Sequence, residues 1–116
     1  MAVIIVKDKL KKSQVDEARK EHKNYIKITA DILQNIIAIG GQYHADAEKM
    51  LLENCGSKQK HIWGGGYSID LDEFETIAII NIRQPGNCSM DILDAKVRKA
   101  FLDLVKLRLS DIKSLL

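Results

Sequence analysis

The stretch that decides the fold is Tyr25-Ile26-Lys27-Ile28-Thr29-Ala30-Asp31-Ile32-Leu33-Gln34-Asn35-Ile36-Ile37-Ala38-Ile39-Gly40-Gly41. Its two apolar runs, residues 25–31 and 36–39, are rich in β-branched side chains, and the first partly alternates. Leu33-Gln34-Asn35 lies between them as a short turn, with an asparagine that tolerates left-handed backbone. Periodicity alone also admits a helix over residues 29–37. The β-branched content and the Gly40-Gly41 stop favour a hairpin instead.

The flanks then fall into place. Residues 2–6 form a short apolar run bounded by Lys7-Asp8-Lys9, expected to be a buried strand. Ser13 is placed to cap a helix over residues 14–24, whose apolar face is thin: Val15, Ala18 and the ring of His22. Residues 45–54 make a short central helix, with Ala47, Met50, Leu51 and Asn54 on one face and Gly56 as its stop. Residues 61–69 read as a strand interrupted by Gly64-Gly65-Gly66, and Leu71-Asp72-Glu73 as a turn. Residues 74–83 carry apolar side chains on both parities, which predicts a central strand covered on both faces. Gln84-Pro85-Gly86-Asn87 is a tight turn. Asp94 caps a last helix over residues 95–114, with Val97, Phe101, Leu104, Val105 and Ile112 facing the sheet and Arg108 set among them. The expected class is α+β: an antiparallel or mixed sheet of four to five strands, an N-terminal helix, a short central helix and a C-terminal helix.

With 116 residues the chain suits a single domain over 1–116. It is 46% hydrophobic and 29% charged, which argues against disorder, and no run approaches the ~18 apolar residues of a membrane span. All seven glycines and the only proline lie between Gly40 and Gly86. Charge is segregated too. Residues 1–27 carry eight basic against four acidic side chains, residues 28–82 three against eight, and residues 83–116 seven against four. The basic ends read as solvated helix faces. Nucleic acid is not the favoured partner, because no stacking aromatics interleave with the basic residues. With two cysteines and no secretory leader in the reading, a reduced, cytoplasmic context is expected.

Candidate chemistry gathers in the acidic middle. His44-Ala45-Asp46-Ala47-Glu48 can present an imidazole beside carboxylates, as a general base needs. The same pentad also reads as a helix start, with His44 capping and the acids complementing the dipole. Arg83 closes the predicted long strand, and Asn81 lies on the same parity. The pair could hold an anionic group, or Arg83 could pair with Asp46 or Glu48. Gly64-Gly65-Gly66 is not a phosphate loop, since no Gly-Lys-Ser/Thr follows; a bulge or a close backbone approach explains it better. Trp63 and Tyr67 read as core or as pocket walls. His44, Cys55, His61 and Cys88 form a zinc set on paper, but their spacing matches no known finger or ribbon, so no metal site is assigned. No motif specifies a cofactor, and the roles of Cys55 and Cys88 stay open.

Several blocks in order carry a resemblance: residues 39–48, Leu51-Leu52-Glu53, Gly56-Ser57-Lys58-Gln59, Trp63-Gly64, Ile80-Asn81-Ile82-Arg83, Pro85-Gly86-Asn87 and Ser89. Together they resemble a small prokaryotic family of uncharacterised proteins patterned on GGE-x-HADAE, LLE-D-GS-x-Q, WG and INIRP…GN-x-S. The resemblance covers residues 25–106. Asn54-Cys55 before Gly56 is one residue longer than the pattern, and Cys88 stands where the family is often basic. The resemblance implies that His44, Asp46, Glu48, Gln59, Trp63, Asn81, Arg83, Asn87 and Ser89 form one recurring set, and it carries no function.

Two readings follow. In one, the chain is a small-molecule or phosphate-handling enzyme of hydrolase type. His44, Asp46, Glu48 and Arg83 are then its catalytic candidates, and Gln59, Trp63, Asn81, Asn87 and Ser89 bind the ligand. In the other it is a non-catalytic binding or regulatory module, for a ligand, a protein or nucleic acid, and the motif residues serve structure. An unidentified small ligand is the expected partner in the first. Free sheet edges leave homo-oligomerisation open.

Overall fold

The computed structural model describes residues 3–116. Its elements are β1 (Val3–Val6), α1 (Lys12–Ala18), β2 (Tyr25–Asp31), β3 (Ile36–Gly40), α2 (His44–Asn54), β4 (Ile62–Ser68), β5 (Glu73–Glu75) and α3 (Ala95–Arg108). Short 3₁₀ turns at Gln59–His61, Ile79–Asn81 and Lys113–Leu115 complete the list. The fold is α+β, with five antiparallel strands in the order β1-β3-β2-β4-β5.

The deciding stretch is a hairpin. Ile28 pairs with Ile39 and Asp31 with Ile36, and Asn35 takes the left-handed turn conformation at φ 59°. Asp31 organises the turn. Its carboxylate accepts from the Leu33 and Gln34 amides at 2.9 and 3.0 Å, from Gln34 Nε2 at 2.8 Å and from Ser57 Oγ at 2.6 Å. Arg108 reaches the same turn and donates to the Asn35 carbonyl, which resolves its place in the apolar stripe.

The sheet is covered on both faces, unequally. On one face Val6, Ile26, Ile28, Ile37, Ile39, Trp63 and Tyr67 pack against α1 and α3 through Val15, Ala18, Phe101, Leu104 and Val105. On the other, α2 contributes Ala47 and Leu51 to a smaller cluster with Val3, Ala38 and Ile62. That smaller cover leaves the Tyr25 end of β2 open beneath the start of α2. Gly56, at φ 65°, ends α2 and turns the Ser57 amide back to the Leu51 carbonyl.

The sequence expectations need four corrections. First, residues 74–83 are not a long central strand. Pairing stops after Glu75, and the centre of the sheet is β2. Beyond Glu75 the chain peels off β4, and Ile77, Ile79 and Ile82 are 49%, 72% and 47% exposed, so no second layer covers them. Second, β4 runs uninterrupted through its glycines, with Gly64, Gly65 and Gly66 opposite Thr29, Ile28 and Lys27. They are close approaches rather than a bulge. A Cβ on Gly65 would meet the Glu75 carbonyl oxygen and come within 2.8 Å of the Phe101 ring. A Cβ on Gly64 would lie 2.6 Å from the Ala78 Cβ. Third, α1 is Lys12–Ala18, not 14–24, and its N-cap is Lys11 rather than Ser13. Val15 and Ala18 are its only buried side chains, and with no further apolar turn to bury, the chain leaves the helix. Fourth, α3 ends at Arg108, although Leu109 and Ile112 stay buried in the turn that follows. Asp94 caps α3 as expected, accepting from the Lys96 and Val97 amides. The expected first strand begins at Val3 here, and Ala2 lies outside the described residues.

Candidate functional site

Where β5 stops, side chains take over the edge of β4. Asn81 is wholly buried. Its Oδ1 accepts from the Gly64 amide at 2.8 Å and its Nδ2 donates to the Gly64 carbonyl at 2.9 Å, so one side-chain amide replaces a strand's two-point pairing. The same Nδ2 also reaches the Thr76 and Met90 carbonyls. Two residues along β4, the Arg83 guanidinium donates to the Ile62 carbonyl at 2.6 Å and to the Gln59 carbonyl at 3.2 Å, and lies 3.9 Å from the Trp63 ring centroid. Arg83 and Asn87 exchange backbone hydrogen bonds of 2.7 and 2.8 Å across the Pro85-Gly86 turn. The Asn87 amide ties the Asn81, Ser89 and Asp91 carbonyls to the Leu93 amide. Ser89 Oγ accepts from the Asp91 amide.

His44 does something different. It is the first residue of α2, and the helix is entered from Tyr43 without a side-chain cap. The imidazole does not cap; Nε2 lies 2.6 Å from the Gly65 carbonyl oxygen. A carbonyl only accepts, so Nε2 carries the proton. Burial, together with the nearby Lys27 charge, lowers the His44 pKa, against the pull of the Gly65 carbonyl. The ring is therefore neutral at physiological pH, and its lone pair is on Nδ1. Among the described residues Nδ1 makes no hydrogen bond, and it is not sealed from solvent.

His44 stands on the wall of a cavity of about 380 Å³, between the start of α2 and the peeled segment. Tyr43, Ala45, Ile77, Ile79, Ile80 and Met90 wall it, and Tyr25 and Lys27 of β2 reach it from the sheet. This is within the ~300–1,000 Å³ range of small-molecule pockets, and mostly apolar walls with a few polar groups are their usual make-up. Burial, and then Glu75 beside its hydroxyl, push the Tyr25 phenol up, so it stays protonated.

The nine expected residues are thus split. His44 lines the cavity; Asp46, Glu48, Gln59, Trp63, Asn81, Arg83, Asn87 and Ser89 do not. Asp46 sits in the first turn of α2. Glu48 and Arg83 feel each other's charge without an ion pair among the described residues, and burial pushes the Glu48 carboxyl up against that attraction. Glu48 Oε2 and Arg83 Nε are both buried without a partner there. Gln59 contributes its carbonyl to Arg83. Tyr25 and Lys27 were missed by sequence reasoning. Their signal was there: both lie on one parity of the deciding strand, whose other parity is Ile26 and Ile28. Among the described residues no three His, Cys, Asp or Glu side chains gather as a metal set, and Cys55 and Cys88 are free thiols.

Fold and site together define an α+β protein with a ligand-sized cavity between its sheet and the start of a helix. The chain belongs to the family described as Protein of unknown function (DUF5674), whose model matches residues 4–108. Comparison with curated proteins and with solved structures finds no match. Among the described residues no helix is long and apolar enough to cross a membrane.

Proposed function

We propose that this protein is a small-molecule-binding module acting in the cytoplasm, with the His44 cavity as its site. The observation that carries the reading is the combination of a neutral imidazole, fixed by Gly65 through Nε2, and a ligand-sized apolar cavity on whose wall it stands. In such a site Nδ1 accepts a hydrogen bond from a hydroxyl or amide N–H, while Ile77, Ile79, Ile80 and Met90 take the apolar body. Asn81, Arg83, Asn87 and Ser89 serve the site indirectly. Asn81 and Arg83 hold the wall-bearing segment against β4 through the Gly64 and Ile62 main chain, while Asn87 and Ser89 brace the loop behind it through the Asn81 carbonyl and the Asp91 amide. Binding rather than hydrolysis is the better-supported reading, because Asp46, Glu48 and Arg83 are not on the cavity wall.

The test is a two-dimensional NMR titration with a panel sharing one apolar body: 3-phenylpropanol, 3-phenylpropionate and 3-phenylpropylamine. At least one should shift the amides of Ala45, Gly65 and Ile80, and Ala45→Trp, which fills the cavity from an exposed position, should abolish the response. No response from the cavity amides to any member would overturn the reading.

A further inference from the structure

We infer that the ligand class of this cavity is a small monoanionic carboxylate on an apolar body, held by Lys27; the inference rests on the cavity being the binding site. The charge inventory points this way. Lys27 is the one formally charged side chain on the wall, and Asp and Glu are absent from it. Among the described residues no carboxylate lies within 4.0 Å of Lys27 Nζ, although five other basic side chains have such partners. Its ammonium lies over the Tyr25 ring, 5.7 Å from Nζ to the centroid.

The register explains why Lys27 faces the cavity. It lies opposite Gly66, which lies opposite Glu75. Gly66 leaves its own side of the sheet to the Tyr25 ring, since a Cβ there would fall inside that ring. The aromatic side chain therefore lies across the glycine beside Lys27. Glu75, the nearest acid in the register, stands at the Tyr25 hydroxyl rather than on the wall. The start of α2 adds the positive end of an eleven-residue helix at Tyr43-His44-Ala45. The result is a net positive cavity with mostly apolar walls.

One ammonium in an apolar cavity suits a single negative charge. A phosphate dianion usually takes several converging charged donors, arginine among them, and the wall offers one ammonium and no arginine. A cationic ligand would face Lys27 without a counter-charge. A neutral ligand would leave the ammonium partly desolvated with nothing gained.

The three probes separate the outcomes, with inorganic phosphate as a fourth. 3-Phenylpropionate is expected to bind about fivefold or more tightly than 3-phenylpropanol, a modest value for a charge-assisted contact at a partly exposed lysine. 3-Phenylpropylamine should bind weakest, and phosphate alone should leave the cavity amides unmoved. Lys27→Met should remove the preference for carboxylate while 3-phenylpropanol still binds. Lys49→Met, on the exposed face of α2, should leave it intact. Equal affinity for acid and alcohol, or a preference for the amine, would overturn the inference while leaving the cavity as a binding site. Silence from every probe would overturn both. A response to phosphate matching that to the carboxylate would overturn the assignment of class.

Discussion

Replacing Asn81 with alanine tests how the cavity wall is held. The side chain is wholly buried and, among the described residues, alone partners the Gly64 amide and carbonyl on the β5 side. Alanine strands both groups and withdraws a donor from the Thr76 carbonyl, while the Met90 carbonyl still accepts from the Ala78 amide at 3.0 Å. An orphaned buried polar group costs about 1–3 kcal/mol, and carbonyls tolerate the loss better than amides. The sum expected for Asn81→Ala is about 3–4 kcal/mol, a large share of the ~5–15 kcal/mol that holds a domain folded. Urea unfolding should show it as a midpoint lower by roughly 2 M, for a slope of about 1.5–2 kcal/mol/M. Asn81→Asp sharpens the test. It keeps the acceptor for Gly64 but turns the donor into a second acceptor among three carbonyls, so its folded-state pKa must rise. The folded state then holds the proton longer than the unfolded chain, whose value is ~3.9. Relative to the parent, the variant should lose least stability below about pH 4 and progressively more as pH rises through its folded-state pKa. A loss below about 1 kcal/mol for alanine, or no such pH slope for aspartate, would refute the edge-pairing role.

Three further outcomes are expected. Gly65→Ala should cost several kcal/mol or abolish folding, because the Cβ meets both the Glu75 backbone and the Phe101 ring; near-native melting would contradict the packing of α3 on β4. Burial works to raise the Asp31 pKa, but hydrogen bonds from Ser57, Gln34 and Leu33 prevail and hold it below the usual carboxylate range. Its contribution should therefore be complete above about pH 4 and fade as pH falls through the depressed value, so melting curves of Asp31→Asn should show a flatter acid limb than the parent's. Asp94→Ala should destabilise by about 1 kcal/mol in urea unfolding, since it caps two amides at the start of α3, and no change would argue that the cap is idle.

Much of the frame was legible because local chemistry and tertiary structure agree there. Asn35 takes the left-handed turn that its side chain tolerates, Gly56 stops α2, Asp94 caps α3, and residues 25–31 and 36–39 pair as the β-branched runs suggest. Residues 74–83 misled because period-two reading reports which side chains are apolar, not whether a layer lies beyond them. Ile77, Ile79 and Ile82 are apolar and exposed, and Asn81 between isoleucines was the sign that this backbone leaves the ladder. The candidate site was half legible. The pentad marked His44, but its neighbours at i+2 and i+4 lie off the cavity wall. Lys27 reaches the cavity through a cross-strand register that no linear motif records.

The most direct test of the binding reading is the His44 imidazole itself, read by long-range proton–nitrogen correlation at pH 7 with and without 3-phenylpropanol, whose hydroxyl can donate to Nδ1. A neutral ring with the proton on Nε2 and a bare Nδ1 is expected, with His44 nitrogen signals that move as the probe saturates. An imidazolium, a proton on Nδ1, or a ring that ignores a probe bound elsewhere would contradict it.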